Sequence, residues 1–179
     1  MSAIEAEELV RRYTALVFNL ALRLCGNRAD AEDLAQQSLI RAIQALPRFR
    51  GEADPGVWLY RITVNAWKNS LRAKSARPVL RFFGLEEKEV LSEPDLPGPD
   101  PTPERLAEAG EAKARLDRAL EALSPEERAV LVLRELDGRS YAEIAEALDL
   151  PLGTVKSRLA RARAELAVRL GVEENDDVR

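Results

Sequence analysis

Two clusters of cations are the residues best suited to chemistry in this chain. The first lies at 58–81, where Arg61, Lys68, Arg72, Lys74, Arg77 and Arg81 occur without a single Asp or Glu. Trp58, Tyr60 and Trp67 interleave with them, and Phe49 sits just upstream. Aromatic faces stack on unpaired bases while cations neutralise phosphates, so the combination suits single-stranded nucleic acid. A plain core helix anchored by Trp58 is the competing reading. The second cluster lies at 156–169, with Lys156, Arg158, Arg161, Arg163 and Arg169 against Glu165 alone. A polyanion meets local charge, so the formal net charge of −4 excludes neither cluster.

Other chemistries are thinly provided. The 179 residues contain no histidine, the usual general base and commonest metal ligand. The single Cys25 supports neither an internal disulfide nor a cysteine metal cluster, and its apolar setting reads as a small buried hydrophobe. Asp30, Glu32 and Asp33 resemble magnesium ligands only superficially, because no second acidic motif accompanies them. There is no P-loop pattern. The expectation is a protein that is not an enzyme, with no catalytic residue, metal or cofactor. No run approaches the roughly 18 apolar residues of a spanning helix. The start, Met1-Ser-Ala-Ile-Glu, lacks the basic flank and apolar centre of a signal peptide. A cytoplasmic chain without membrane insertion is expected.

The elements that must position the cations are helical throughout. Leu9, Tyr13, Leu16, Val17, Leu20 and Leu24 recur at three and four residues, predicting a helix that begins at a Ser2/Glu5 capping box and ends at Gly26. Asn27 caps a second helix that buries Leu34, Leu39, Ile43 and Leu46 and stops at Pro47. Asp54-Pro55 starts a third, from 55 to about 74, carrying Trp58, Leu59, Ile62, Ala66 and Leu71. Residues 78–103 hold Pro78, Pro94, Pro97, Pro99, Pro101 and Pro103, with acidic charge nearby, and sustain no pattern.

Thr102-Pro103 restarts a helix to about Leu123, with Leu106, Leu116, Leu120 and Leu123 inward. Ser124-Pro125-Glu126-Glu127 starts the next, which carries Val130, Leu131, Leu133 and Leu136. Ser140 and Glu143 box a short helix through Leu148. A break at 149–153 then precedes a basic helix with Val155, Leu159, Ala162 and Leu166 on one face. The prediction is all-α: two small helical bundles, 1–77 and 103–170, joined by a flexible acidic linker, 78–102, with an acidic tail, 171–179.

A short helix, a tight break and a longer basic helix form a helix-turn-helix pattern. With Val155 and Leu159 inward, Thr154, Lys156, Ser157, Ala160 and Arg161 face outward on the part of the helix that enters a major groove. Lys and Arg bond guanine edges, Ser and Thr reach bases or phosphate, and Ala160 permits close approach. Arg158 and Arg163 are better placed for backbone phosphates.

Taken together, these segments resemble the extracytoplasmic-function (ECF) sigma factors of bacterial RNA polymerase. Asp30-Ala-Glu-Asp-Leu-Ala-Gln-Gln-Ser-Leu-Ile-Arg-Ala42 is similar to the core-binding helix of region two. Phe49-Arg-Gly-Glu with Trp58-Leu-Tyr-Arg-Ile-Thr-Val-Asn65 is similar to the loop and helix that engage the melted minus 10 element. Ser140-Tyr-Ala-Glu-Ile-Ala and Gly153-Thr-Val-Lys-Ser-Arg-Leu-Ala-Arg-Ala-Arg163 are similar to the region-four helix-turn-helix that reads the minus 35 element. The resemblance implies that Asp30, Asp33, Leu34, Gln37 and Arg41 meet the β and β′ subunits of core RNA polymerase. It implies that Phe49 and Asn65 frame a pocket for a flipped base of the melted non-template strand, with Arg50, Trp58, Arg61 and Lys68 around it. It also implies duplex promoter DNA and an anti-sigma factor as partners. The pattern departs from the family at Gln37, often Glu, at Asp54-Pro55-Gly56, and at Ala160. The alternative is a free-standing helix-turn-helix regulator that acts without replacing a sigma factor; an adaptor built from both bundles is a further one.

Overall fold

The computed structural model describes residues 5–51, 53–75 and 103–171. Every regular element among them is helical: α1 (Ala6–Cys25), α2 (Arg28–Ala45), α3 (Pro55–Ser75), α4 (Pro103–Glu121), α5 (Pro125–Leu131), α6 (Tyr141–Leu148) and α7 (Leu152–Leu170). A short 3-10 turn, Leu46–Arg48, follows α2, and a wide π turn, Val132–Leu136, extends α5. The expected linker at 78–102, the tail beyond Gly171 and the Ser2 cap lie outside the described residues. Glu5 occupies the N-cap of α1 with no side-chain cap bond.

Local signals set most boundaries. Gly26 adopts a left-handed φ of 76° and its N–H returns to the Leu22 carbonyl, closing α1. Asn27 then accepts the Asp30 N–H at 2.9 Å, opening α2. Ser124 and Ser140 cap α5 and α6 through the amides of Glu127 and Glu143. The Ser140/Glu143 capping box is complete, since Glu143 also accepts the Ser140 N–H at 2.8 Å. These bonds hold the Glu143 carboxyl below its usual range, with Arg139 adding to them.

The first unit packs α1, α2 and α3 around Leu9, Val17, Leu20, Leu24, Leu59 and Val64, all essentially inaccessible. α2 meets its neighbours through Ala31, Leu34, Ala35, Ser38 and Ala42. This is a rotation from the expected face: Ile43 is exposed and Leu39 and Leu46 are only half-buried. Small side chains let α1 approach closely, and the buried Ser38 hydroxyl is satisfied by the Leu34 carbonyl at 2.7 Å. The core of the second unit uses Val130, Val132, Leu133, Ile144, Val155, Leu159 and Ala162.

Leu116 and Leu136 depart from expectation, at 39% and 44% exposed. α4 buries Ala119, Leu120 and the following Leu123 near its end, leaving Leu116 outside. At Leu136 the cause is the π turn. Asp137 N–H bonds the Val132 carbonyl and Arg139 N–H the Leu133 carbonyl, so the turn is wider than 3.6 residues and rotates Leu136 off the core face.

The two units are also in contact with each other, through α3 on α6 and α1 on the π turn. Arg23 pairs with Asp137, Lys68 lies 3.0 Å from Glu126, and Arg139 and Arg128 sit over the rings of Tyr60 and Trp67 at 5.1 and 5.7 Å. α3 is consequently covered on two sides. Trp67 and Tyr60 are 2% and 3% exposed, whereas Trp58, the expected anchor, is half-buried.

Candidate nucleic-acid interface

Trp58, Arg61, Asn65 and Lys68 are spaced by three, four and three residues, which places them in one stripe along α3. The stripe begins at an aromatic hollow. The 3-10 turn is closed by the Phe49 N–H on the Leu46 carbonyl at 3.0 Å, which carries Phe49 back to Trp58. Their ring centroids are 4.6 Å apart and tilted by 34°. Beside them lies a space of about 380 Å³ lined by Ala45, Arg48, Phe49, Arg50, Ala53 and Trp58. Two arginines and two aromatic rings around an open hollow suit a flat base with its phosphate. Asn65 does not line it: seven residues beyond Trp58, it stands roughly 10 Å further along the helix at 1.5 Å per residue.

The start of α3 explains the Asp54-Pro55-Gly56 departure. Asp54 Oδ1 accepts the Gly56 and Val57 N–H groups at 2.8 and 3.3 Å. A Cβ on Gly56 would lie 2.9 Å from that same oxygen, and 3.7–3.8 Å from Leu16 and Tyr13 of α1. Glycine thus leaves room for the Asp54 cap, whereas the separations from α1 are ordinary contacts that a Cβ would tolerate.

In the second unit, the chain turns from α6 to α7 at Asp149, which holds a left-handed φ of 53°. Leu150 N–H returns to the Ala145 carbonyl at 2.9 Å, and α7 begins as Thr154 and Val155 bond the Pro151 carbonyl. With Val155, Leu159 and Ala162 buried, Lys156, Ser157, Ala160 and Arg161 are exposed and Thr154 is half-buried. Arg161 reaches back to the Ser157 carbonyl and stands 3.8 Å from Glu127. Arg163 lies apart from this group, bound to Glu135 through Nε and Nη2 at 3.0 and 2.5 Å. Arg158 is half-buried.

The acidic face of α2 is separate again. Asp33, Gln37 and Arg41 recur every four residues and are exposed, with Ile40, 47% exposed, beside them. Leu34 is 4% exposed and supports this face from beneath rather than presenting itself. Asp30 accepts Lys74 at 2.7 Å on both oxygens; burial pushes its carboxyl up, but Lys74 and Asn27 outweigh that and leave it below its ordinary value. Asp30, Asp33 and Gln37 border a groove of about 610 Å³ between the units, with Trp67, Glu121 and Arg128 also lining it. Cys25 lies at its floor; burial pushes the thiol up to about 12, which favours an inert side chain.

The contacts across the units were not anticipated from sequence. Tyr60, Arg23, Arg128, Asp137 and Arg139 carry them. A signal was present in Trp67, redundant on the α3 core face beside Ala66 and Leu71. Among the described residues no group of three or more His, Cys, Asp or Glu is placed to hold a metal, and no helix is long and apolar enough to cross a membrane.

Fold and site together define a two-unit, all-helical protein with a helix-turn-helix in its second unit. Residues 9–77 match Sigma-70 region 2 and residues 113–174 match Sigma-70, region 4. The chain is 38% identical over 160 residues to the ECF RNA polymerase sigma factor SigE of Mycolicibacterium smegmatis, covering 89% of this chain and 59% of that protein. It is 40% identical over 155 residues to the ECF RNA polymerase sigma-E factor of Salmonella typhimurium, covering 87% and 81%. Among solved structures it is similar to the sigma factor RpoE in complex with the anti-sigma factor NepR from Bartonella quintana, with a TM-score of 0.67, 26% identity, and 94% and 98% of the two chains covered. The chain belongs to the ECF sigma factors of the sigma-70 family.

Proposed function

We propose that this protein binds core RNA polymerase and directs it to promoters, reading two DNA elements in two states. The observation that carries the reading is the pairing of an aromatic hollow and a cationic stripe on one unit with an outward-facing helix-turn-helix on the other. α7 enters the major groove of the duplex minus 35 element, where Lys156, Ser157, Ala160 and Arg161 face base edges and Arg158 faces phosphate. Arg163, held by Glu135, contributes to the backbone-facing charge rather than to base reading.

Once the duplex opens, Phe49, Arg50 and Trp58 take an unstacked base of the non-template minus 10 strand, and Arg61, Asn65 and Lys68 track the neighbouring nucleotides. Unstacking costs on the order of a few kcal/mol per base, and an aromatic platform returns roughly 1–3 kcal/mol. The exposed α2 face, Asp33, Gln37, Ile40 and Arg41 with Asp30 at its edge, binds the β and β′ subunits, which supply the remaining contacts and the catalysis. An anti-sigma factor is a further partner, as in the Bartonella quintana complex. The reaction places the protein in the cytoplasm.

Reconstitution with core polymerase on a promoter library, followed by sequencing of initiation sites, tests the reading. Factor-dependent starts with a shared upstream element support it. Protection of an operator by the free chain, with no polymerase-dependent initiation, would identify a free-standing regulator instead.

A further inference from the structure

We propose that Glu127 is a positioning residue for base reading: it sets the direction of Arg161 and, through it, the preference of α7 for guanine. The proposal rests on the promoter-reading function above. Its basis is a carboxylate in an unfavourable place. α7 is the helix that meets a polyanion, and an acid beside it repels phosphate on every sequence. Glu127 nonetheless stands in the first turn of α5 with its side chain 22% exposed and its Oε1 3.8 Å from the Arg161 Nε. Its other oxygen, Oε2, accepts the Ser124 hydroxyl at 2.6 Å, and the Ser124 oxygen accepts the Glu127 N–H at 3.3 Å. The cap that starts α5 therefore also fixes the carboxylate. Glu126, one residue back, is turned about 100° away and serves Lys68 instead.

Arg161 is held along one edge. Its Nε donates to the Ser157 carbonyl at 3.4 Å and faces Glu127, while the side chain stays 66% exposed. Helical side chains lean toward the N-terminus, so the guanidinium is drawn over Ser157, into the part of α7 that enters a groove. With Nε occupied, the two Nη groups form the outward end of the fork, and two donors side by side match guanine O6 and N7. Adenine presents a donor where guanine has O6, and an arginine held in place does not swing to a phosphate to compensate. Glu127 thus converts affinity into discrimination, lowering binding everywhere and least at guanine. At 3.8 Å the contact is an attraction of charges rather than a hydrogen bond, so glutamine removes it and keeps the bond to Ser124. Arg163 provides the contrast: Glu135 binds both its Nε and its Nη2, so the acid takes one side of the fork and the rest faces phosphate.

The test compares the full chain with its Glu127→Gln variant, each bound to core polymerase. Probes are the upstream duplex of a promoter selected in the library experiment and the same duplex with each base pair replaced in turn. Arg161→Ala first marks the guanine, as the position where it abolishes discrimination. Glu127→Gln should lower the preference for guanine at that one position about fivefold, while binding to the duplexes substituted there rises about threefold. In an Arg161→Ala background the same change should leave every base preference as it was, which a merely structural role for Glu127 does not require. Glu135→Gln removes an equal charge and should raise affinity for all the duplexes alike, with the guanine preference intact. An unchanged preference in Glu127→Gln, a loss spread over several positions, or the same loss in Glu135→Gln overturns the proposal. An Arg161→Ala variant that keeps every base preference overturns it too. Absence of initiation by the parent chain would instead remove the promoter-reading function.

Discussion

α3 and α7 are both basic helices of about twenty residues, yet they spend their charge differently. The cations of α7 are exposed or answer acids of their own unit, Arg163 to Glu135 and Arg169 to Glu165. Two of those on α3 answer groups of the other unit, Arg61 to α6 and Lys68 to α5, while Lys74 stays with Asp30 of its own unit. A linear charge count makes the two helices equivalent. What separates them is shape: α7 has one apolar face and one core, while α3 has apolar residues on most of its circumference, including Tyr60 and Trp67, and needs cover on two sides.

That contrast is open to experiment, from the largest expected effect downward. Leu59 and Leu159 are each essentially inaccessible, one in each helix. Leu59→Ala and Leu159→Ala should each cost about 2–5 kcal/mol in urea unfolding. If the interface couples the units, both changes shift one shared transition; separate transitions would show that they fold independently. Phe49→Ala should weaken capture of the minus 10 strand by about 1–3 kcal/mol in a fluorescence titration of the holoenzyme, leaving upstream duplex affinity unchanged. Lys156→Ala should do the reverse, lowering duplex affinity about tenfold and flattening its salt dependence by nearly one unit of log–log slope.

Smaller effects probe the supports beneath each helix. Ser140→Ala removes the capping box of α6, the element that meets α3, and should cost about 1 kcal/mol by thermal melting. Asp30→Asn removes the carboxylate that Lys74 holds at the end of α3. The folded carboxyl lies below its ordinary value, so its stabilisation is full at neutral pH and is lost as pH falls through the folded value. With both side chains partly exposed, the gap between wild type and Asp30→Asn should be only about 0.5 kcal/mol at pH 7 and vanish in strong acid. A gap that widened in acid would reverse the assigned sign.

Much of this was legible in the sequence because it is local. Gly26, Asn27, Asp54-Pro55, Ser124-Pro125 and Ser140/Glu143 mark helix ends through bonds spanning two to four residues, and each behaves as its type predicts. Val155, Leu159 and Ala162 follow the helical period inward. Ile43, Leu116 and Leu136 do not, for reasons no periodicity encodes: a close approach of α1 at alanines, a helix that turns Ala119 and Leu120 inward near its end, and a wide turn. Phe49 and Trp58 were legible as an aromatic pair near cations. Counting along α3 is enough to set Asn65 two turns away from their hollow. The contact between the units was illegible because its partners, Arg61 with Glu146 and Arg23 with Asp137, are separated by 85 or more residues.

The π turn at Val132–Leu136 carries a final consequence. Its extra residue advances Asp137 and Arg139 toward the first unit, while α6 and α7 begin afresh at the Ser140 cap. Deleting the exposed Leu136 there should retract both side chains from Arg23 and Tyr60, whereas Val132 and Leu133 of the same turn are buried in the core beneath the reading head. Chain length at a single bend thereby acts as a tuning screw on how tightly the protein folds upon itself.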